Sequence, residues 1–370
     1  MKKIWSEIKY WVFILIFLAI LFELVASMIL FRKYTTGKLA ITHFTEEFFK
    51  KGAGQKMYDM HKLSRHGTSD DINKLIADET KDANQYIYEP WLMFRIADYH
   101  SKYVNISGFE RKSVPDSYIK TGSADTIDIY FFGGSTMFGY NLADDETIPS
   151  RFINAYRQEN PAATVRVKNF GVPHYYSKQE LMLLSSLLFE GHRPDVVIFL
   201  DGLNDFYPSR MLYYDRPYFS YALQQTFEGK MFQKGKETFL DSTGQFYDDP
   251  PGINGNEYND QLIKRYYSNI RMAAELCKNA GIKSYFFCEP VPFYKNPKIN
   301  SESYRGNFKR FEYIYPELEM NKDSLNNFYF LGNLPGHEKG NAFIDSMNFS
   351  PEFSEKIARQ ILNTVKKDLE

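Results

Sequence analysis

The pattern of apolar and polar positions divides the chain into three stretches. Residues 11–31, WVFILIFLAILFELVASMILF, are apolar except for Glu23 and a few small or weakly polar positions. A helix of that length spans about 30 Å, the thickness of a hydrocarbon core, so this run predicts a transmembrane helix. Residues 32–123 show no sustained period. Within them TEEFFKK (45–51) and SDDINKLIADETKDANQ (69–85) read as helices, with Ser69 and Asp70 as caps, and residues 88–116 read as loops and short strands. From Thr126 the pattern becomes regular. Strand-like runs at 127–132, 164–170, 195–201, 282–289 and, more weakly, 342–345 are separated by helix-length amphipathic segments, and another such segment follows the last run. Near-continuously apolar strands alternating with helices predict a parallel sheet covered on both faces.

The expected organisation is therefore a flank at 1–10, a transmembrane helix at 11–31, a stalk or accessory segment at 32–123, and an α/β domain at 124–370. The accessory segment lacks the Gly/Ser bias of a flexible linker. Lys2, Lys3 and Lys9 precede the apolar run and Arg32 and Lys33 follow it, a weak charge bias; the free amine on the first flank and the long folded domain that follows favour an inside amino terminus and an extracytoplasmic α/β domain. A cleaved signal peptide is the rival, with Val25–Ser27 resembling a cleavage site, but the apolar run continues beyond it into MILF.

Composition adds little to this picture. The formal net charge is −1, from 45 basic and 46 acidic residues, so there is no reason to expect nucleic acid as a partner. Aromatic residues make up 17 % of the chain, which an aromatic-rich core would absorb. The two cysteines, Cys277 and Cys288, are expected in a helix and at a strand end as buried thiols. They form neither a disulfide framework nor a metal site, and no metal or cofactor motif occurs elsewhere.

In parallel α/β sheets the chemistry sits beyond the carboxyl ends of the strands. There the sequence offers Gly133-Gly134-Ser135-Thr136, then NFGVPHYYS (169–177), then DGLND (201–205), and finally DSMNFSPEF (345–353). Each is ordinary turn chemistry by itself, and a lone serine after two glycines is most often a helix cap. Together they would bring a hydroxyl, backbone N–H groups and a side-chain amide to one rim.

With these blocks in this order, the chain resembles the SGNH (GDSL-like) hydrolases over about residues 127–369, and most of all their membrane-anchored bacterial members. NISGFERK (105–112) is similar to a segment often found ahead of the first strand in that group. The resemblance implies a flavodoxin-like three-layer α/β/α sandwich that cleaves or transfers acyl groups on esters, including acetyl groups on glycans. It implies Ser135 as nucleophile, Asn204 as the oxyanion amide, and Asp345 as the acid of the final block. Gly134 and Gly202 would then lie against the substrate.

Two positions depart from the family pattern. His174 stands where a glycine usually donates its N–H to the oxyanion, and a side chain there is costly if the backbone needs a positive φ. Asn348 stands where the catalytic histidine is usual, and an amide cannot take a proton from a serine hydroxyl near neutral pH. Three readings stay open: His174 as a replacement base, with His337 a weaker candidate; residual activity without a base; or a non-catalytic scaffold that binds a glycan or an assembly partner. The aromatic stretch 205–232 after the asparagine block, with Tyr213, Tyr214, Tyr218 and Phe219, is a candidate lid or sugar-stacking surface. The expected partners are an acylated small molecule or glycan, the membrane through the N-terminal helix, and a membrane protein.

Overall fold

The computed structural model describes residues 11–12, 14–25, 86–118, 126–161, 164–206, 256–292, 294–295, 310–337, 342–344 and 347–369. Several expectations lie outside them: the helices at 45–51 and 69–85 with Ser69 and Asp70, nearly all of the stretch 205–232 including Tyr213 and Tyr214, and Asp345.

Eleven strands are described. β1 (Tyr86–Glu89) and β2 (Met93–Ile96) form an antiparallel hairpin. β3 (Tyr99–His100), β4 (Asn105–Ser107), β5 (Glu110–Arg111) and β6 (Ser117–Tyr118) are short. β7 (Ile127–Gly133), β8 (Val165–Gly171), β9 (Val196–Asp201), β10 (Lys283–Cys288) and β11 (Phe328–Phe330) are mutually parallel and lie in the order β11-β10-β9-β7-β8. Counted from β7, that is the 2-1-3-4-5 order of the flavodoxin-like fold, whose order reverses between its first and third strands. β5, β4 and β3 then extend the β8 edge antiparallel, so this part of the accessory segment shares the sheet of the α/β domain.

The α-helices described from residue 126 onward are α1 (Ser135–Phe138), α2 (Ile148–Glu159), α3 (Ser177–Phe189), α4 (Leu203–Phe206), α5 (Asn256–Asn279), α6 (Phe311–Met320) and α7 (Pro351–Val365). Two buried clusters define the layers. Ile129, Phe131, Val167, Ile198 and Phe287 face α2 and α7. Tyr130, Phe132, Phe170, Phe199 and Phe286 face α3, α5 and α6. Side chains alternate between faces along each strand, which explains why a sheet buried on both sides reads as a continuous apolar run.

On the α3/α5/α6 face, the strand register lines up Phe170, Phe132, Phe199, Phe286 and Phe328 across five strands. The first four rings stack in turn with centroids 5.5, 5.1 and 5.1 Å apart. This row accounts for part of the aromatic excess, and truncating a fully buried phenylalanine typically costs about 3–5 kcal/mol.

The fifth parallel strand departs from the sequence expectation. Residues 342–345 were expected to form it, but among the described residues they make only an isolated bridge, Phe343 with Phe349. The backbone there closes on itself, Ile344 N–H donating to Asn348 O at 2.8 Å and Ser350 N–H to Ala342 O at 2.9 Å, so no ladder is left for the sheet. β11 fills the edge instead.

Among the described residues no helix is long and apolar enough to cross a membrane. Residues 11–12 and 14–25 of the expected span are helical, with exposed apolar side chains such as Leu15 and Phe22. Residues 26–31 lie outside the described part.

Candidate active site

β7 runs straight into the serine turn. Gly134 occupies the cap position of α1, its carbonyl accepting from Phe138 N–H at 3.0 Å, and Ser135 is the first helical residue. The capping role thus falls to a residue without a side chain, and the Ser135 hydroxyl has no hydrogen-bond partner among the described residues. Ser135 is half-buried at the topological switch point, between the ends of β7 and β9, where this fold class binds ligands.

The second block fixes α1 from beneath. A Cβ on Gly171 would lie 2.3 Å from Phe138 N, so only glycine lets the short helix rest on the end of β8. Asn169, fully buried, donates from Nδ2 to Met137 O at 3.0 Å and accepts Gly171 N–H at 2.9 Å. The accessory strands hold the far end of the same turn. Arg111, also buried, pairs with Asp144 at 3.0 Å, donates to Leu142 O at 2.7 Å and to Gly139 O at 3.3 Å, and lies over the Phe138 ring. Asn105 Nδ2 adds a 2.7 Å bond to Asp144. Asn105 and Arg111 are two residues of the NISGFERK stretch, and their structural task is now visible.

Asn204 sits in α4 just after Gly202, whose φ of 124° suits glycine. Its Nδ2 donates to Tyr175 O at 2.7 Å. A Cβ built on Gly134 would fall 2.5 Å from that same Nδ2. The amide therefore lies directly against the residue preceding Ser135, so the structure brings the first and third blocks together. An amide nitrogen carries two N–H groups, so one is left over after the Tyr175 bond.

His174 belongs to the same cluster through the turn that precedes Tyr175. Its φ is +69°, the left-handed region where a Cβ is strained, so this departure from glycine does carry a backbone cost. Burial holds its imidazole down to about 4, and its ring centroid is 6.1 Å from that of Tyr86 in the β1–β2 hairpin. A histidine with that pKa is neutral at pH 7 and free of charge to accept a proton, yet it is a weak base, some distance from the value near 7 that favours general-base catalysis.

One residue of this site was missed in the sequence. Glu289, the first residue after β10, is buried; its Oε2 accepts Thr136 Oγ1–H at 2.6 Å and its Oε1 accepts Leu203 N–H at 2.9 Å. Burial raises its carboxyl to about 7. Behind it lie Glu180, Asp201 and Asp205, all buried and all raised by desolvation, Asp205 to about 6. Asp201 accepts Tyr266 O–H at 2.5 Å, and Asp205 accepts Ser177 O–H at 2.5 Å and Ser177 N–H at 3.2 Å. Burial, and then the neighbouring Asp201 and Asp205 carboxylates, push the Glu180 carboxyl well above the usual range. An acid immediately after an apolar strand at this edge was the available signal.

The fourth block is different. Asn348 is buried in the self-closed turn ahead of α7, where Ser350 caps the helix by accepting Phe353 N–H at 3.2 Å. His337 ends a 3-10 turn at Leu334–His337. Cys277 and Cys288 are free and buried, and no group of His, Cys, Asp or Glu among the described residues could hold a metal ion.

No protein-family model matches the sequence, and no curated protein matches it. Solved structures similar to the chain include the psychrotrophic esterase EstA from Pseudoalteromonas sp., at 14 % identity and TM-score 0.36, covering 65 % of this chain and 98 % of that one. They also include a carbohydrate acetylesterase family member from Sinorhizobium meliloti, at 14 % identity and TM-score 0.36, covering 66 % and 99 %. A third is TesA, at 14 % identity and TM-score 0.38, covering 66 % and 99 %. Another is described as an acetyl-xylooligosaccharide esterase.

Proposed function

We propose that the protein is an SGNH-type ester hydrolase or acyl transferase in which Ser135 attacks the carbonyl of an acylated small molecule or glycan. The observation that carries this reading is the apposition of Gly134 and the Asn204 amide, 2.5 Å from where a Cβ would stand, beside the half-buried Ser135. The spare N–H of Asn204 and the backbone N–H groups of Ser135 and His174 would hold the oxyanion. Such donors act on charge that develops only in the transition state, and each typically contributes about 10²–10³-fold in rate. His174 is the candidate proton acceptor and Asp345 the residue that would orient it. The apolar run 11–31 supports a membrane anchor with the α/β domain outside the cytoplasm.

A second reading is favoured by Asn348. Its amide occupies the position of the usual base, and a site without a base retains the means to bind an acyl ester but little means to turn it over. In that reading the rim binds an acylated glycan or an assembly partner.

Aryl-acetate hydrolysis by the full-length chain, beside Ser135→Ala, His174→Ala and Asn348→His, separates the two. Turnover lost in both Ser135→Ala and His174→Ala supports a serine enzyme with a relocated base. Absence of turnover, followed by its appearance in Asn348→His, supports the binding scaffold and refutes the enzyme.

A further inference from the structure

Glu289 joins the two turns on which the proposed reaction depends. One carboxylate oxygen is bonded to the residue after Ser135, and the other to the residue before Asn204. The backbone of Glu289 is itself fixed, its N–H donating to Asp201 O at 2.8 Å and its carbonyl accepting Tyr315 O–H at 2.9 Å. No other described side chain is hydrogen-bonded both to α1 and to α4.

We infer that Glu289 is a positioning residue: its carboxylate latches the serine turn to the asparagine turn and so fixes the Asn204 amide relative to the Ser135 hydroxyl. The inference rests on the Ser135–Asn204 reading of the site, but not on the chain being an active catalyst.

Charge strengthens the latch. As a carboxylate, Glu289 accepts both bonds, and charge-assisted bonds of this kind are shorter and stronger than neutral ones. When protonated on Oε2, it reverses that bond, donating to Thr136 Oγ1 while Oε1 still accepts Leu203 N–H, so both contacts persist without charge assistance and the pair is weaker. Its surroundings resist ionisation. Asp201 at the end of β9, Asp205 in α4, Glu180 in α3, the Cys288 thiol and the Tyr266 and Tyr315 hydroxyls on α5 and α6 crowd the same interior, and Arg265 is the cation that acts on Asp205. The resulting carboxyl titrates at about 7, so the latch tightens as pH rises through neutrality.

Selective 15N-asparagine labelling of the full chain, with Asn204→Asp used to assign the signal, tests this without any need for turnover. The Asn204 side-chain resonance is expected to move with an inflection near pH 7 in the wild type and to lose that inflection in Glu289→Gln. A resonance that stays flat from pH 5 to 9, or an inflection that survives in Glu289→Gln, overturns the latch. Where the chain hydrolyses aryl acetates, Glu289→Ala should lower kcat by about 30-fold or more with KM changed less than about twofold, the signature of an interaction realised in the transition state. Glu289→Gln keeps the volume and one acceptor, and should recover to within about fivefold with a flattened pH profile. A Glu289→Gln variant with wild-type kcat and an unchanged pH profile would make the residue a packing element only. A chain inert toward esters, yet showing the asparagine titration, would end the enzyme proposal and leave the latch standing.

Discussion

Two turns carry the expected chemistry, and they are held in different ways. The serine turn is gripped from several sides: Gly171 and Asn169 beneath α1, Arg111 at its far end, Glu289 through Thr136, and the Asn204 amide against Gly134. Most of those contacts come from elsewhere in the chain. The turn before α7 is closed by its own backbone, between Ile344 and Asn348 and between Ser350 and Ala342. What differs is the part of the reaction each would serve. Stabilising an oxyanion requires fixed donors at fixed distances, and the first turn keeps the buried polar contacts that such precision needs. Proton transfer depends on one titratable side chain, and where the family resemblance would place it the second turn carries the Asn348 amide.

The comparison can be broken most forcefully at Gly134. In Gly134→Ala the new Cβ would meet Asn204 Nδ2, so the amide must move away from Ser135. The expected result is loss of about 10²–10³-fold in any serine-dependent turnover, measured with an aryl acetate, while circular dichroism shows the fold retained. Asn348→His acts on the other turn. Restoring a base there should raise turnover by about 10²-fold or more, since a positioned general base is typically worth 10²–10⁴. No gain would mean that the turn before α7 never presents this position to the serine.

Stability and site order should respond oppositely to pH. Glu289 and Asp205 have folded-state pKa values of about 7 and about 6, above their ordinary values of 4.5 and 3.8. Groups shifted in this direction favour the folded state below their unfolded pKa, and that contribution is lost as pH rises through the folded one. The unfolding midpoint is therefore expected to be lower at pH 8 than at pH 5, and Glu289→Gln should reduce the difference. The latch, by contrast, should be tightest at the higher pH. Smallest is the effect of His174→Gly. It relieves the positive φ, which should stabilise the fold by about 1 kcal/mol, seen as a raised midpoint in urea. The same variant tests whether the imidazole accepts a proton, because turnover would then fall despite the gain in stability.

Much of this arrangement was legible in the sequence, because long strands buried on both faces and helices of twelve or more residues leave strong periodic signals. That the turns carrying Ser135 and Asn204 share a rim was legible because turn residues at strand ends converge wherever a parallel sheet forms, whereas the roles of the two residues came from the family resemblance. β11 was not, since FYF is three residues long and the neighbouring run AFID looks as good by pattern alone; only the backbone pairing of Ala342–Ser350 distinguishes them. α6 was hidden by Pro316 within it. Glu289, and the task of Arg111 within NISGFERK, were missed for a different reason. Their importance lies in contacts across 153 and 33 positions of sequence, which no local pattern contains.

The central claim is that Ser135 is an accessible nucleophile beside preorganised oxyanion donors. Incubating the full-length chain with a fluorophosphonate probe and mapping the adduct by mass spectrometry tests it most directly. The account predicts a single adduct on the peptide containing Ser135, absent in Ser135→Ala and much slower to form in Gly134→Ala. An unlabelled wild-type chain, or labelling that persists unchanged in Ser135→Ala, would contradict it.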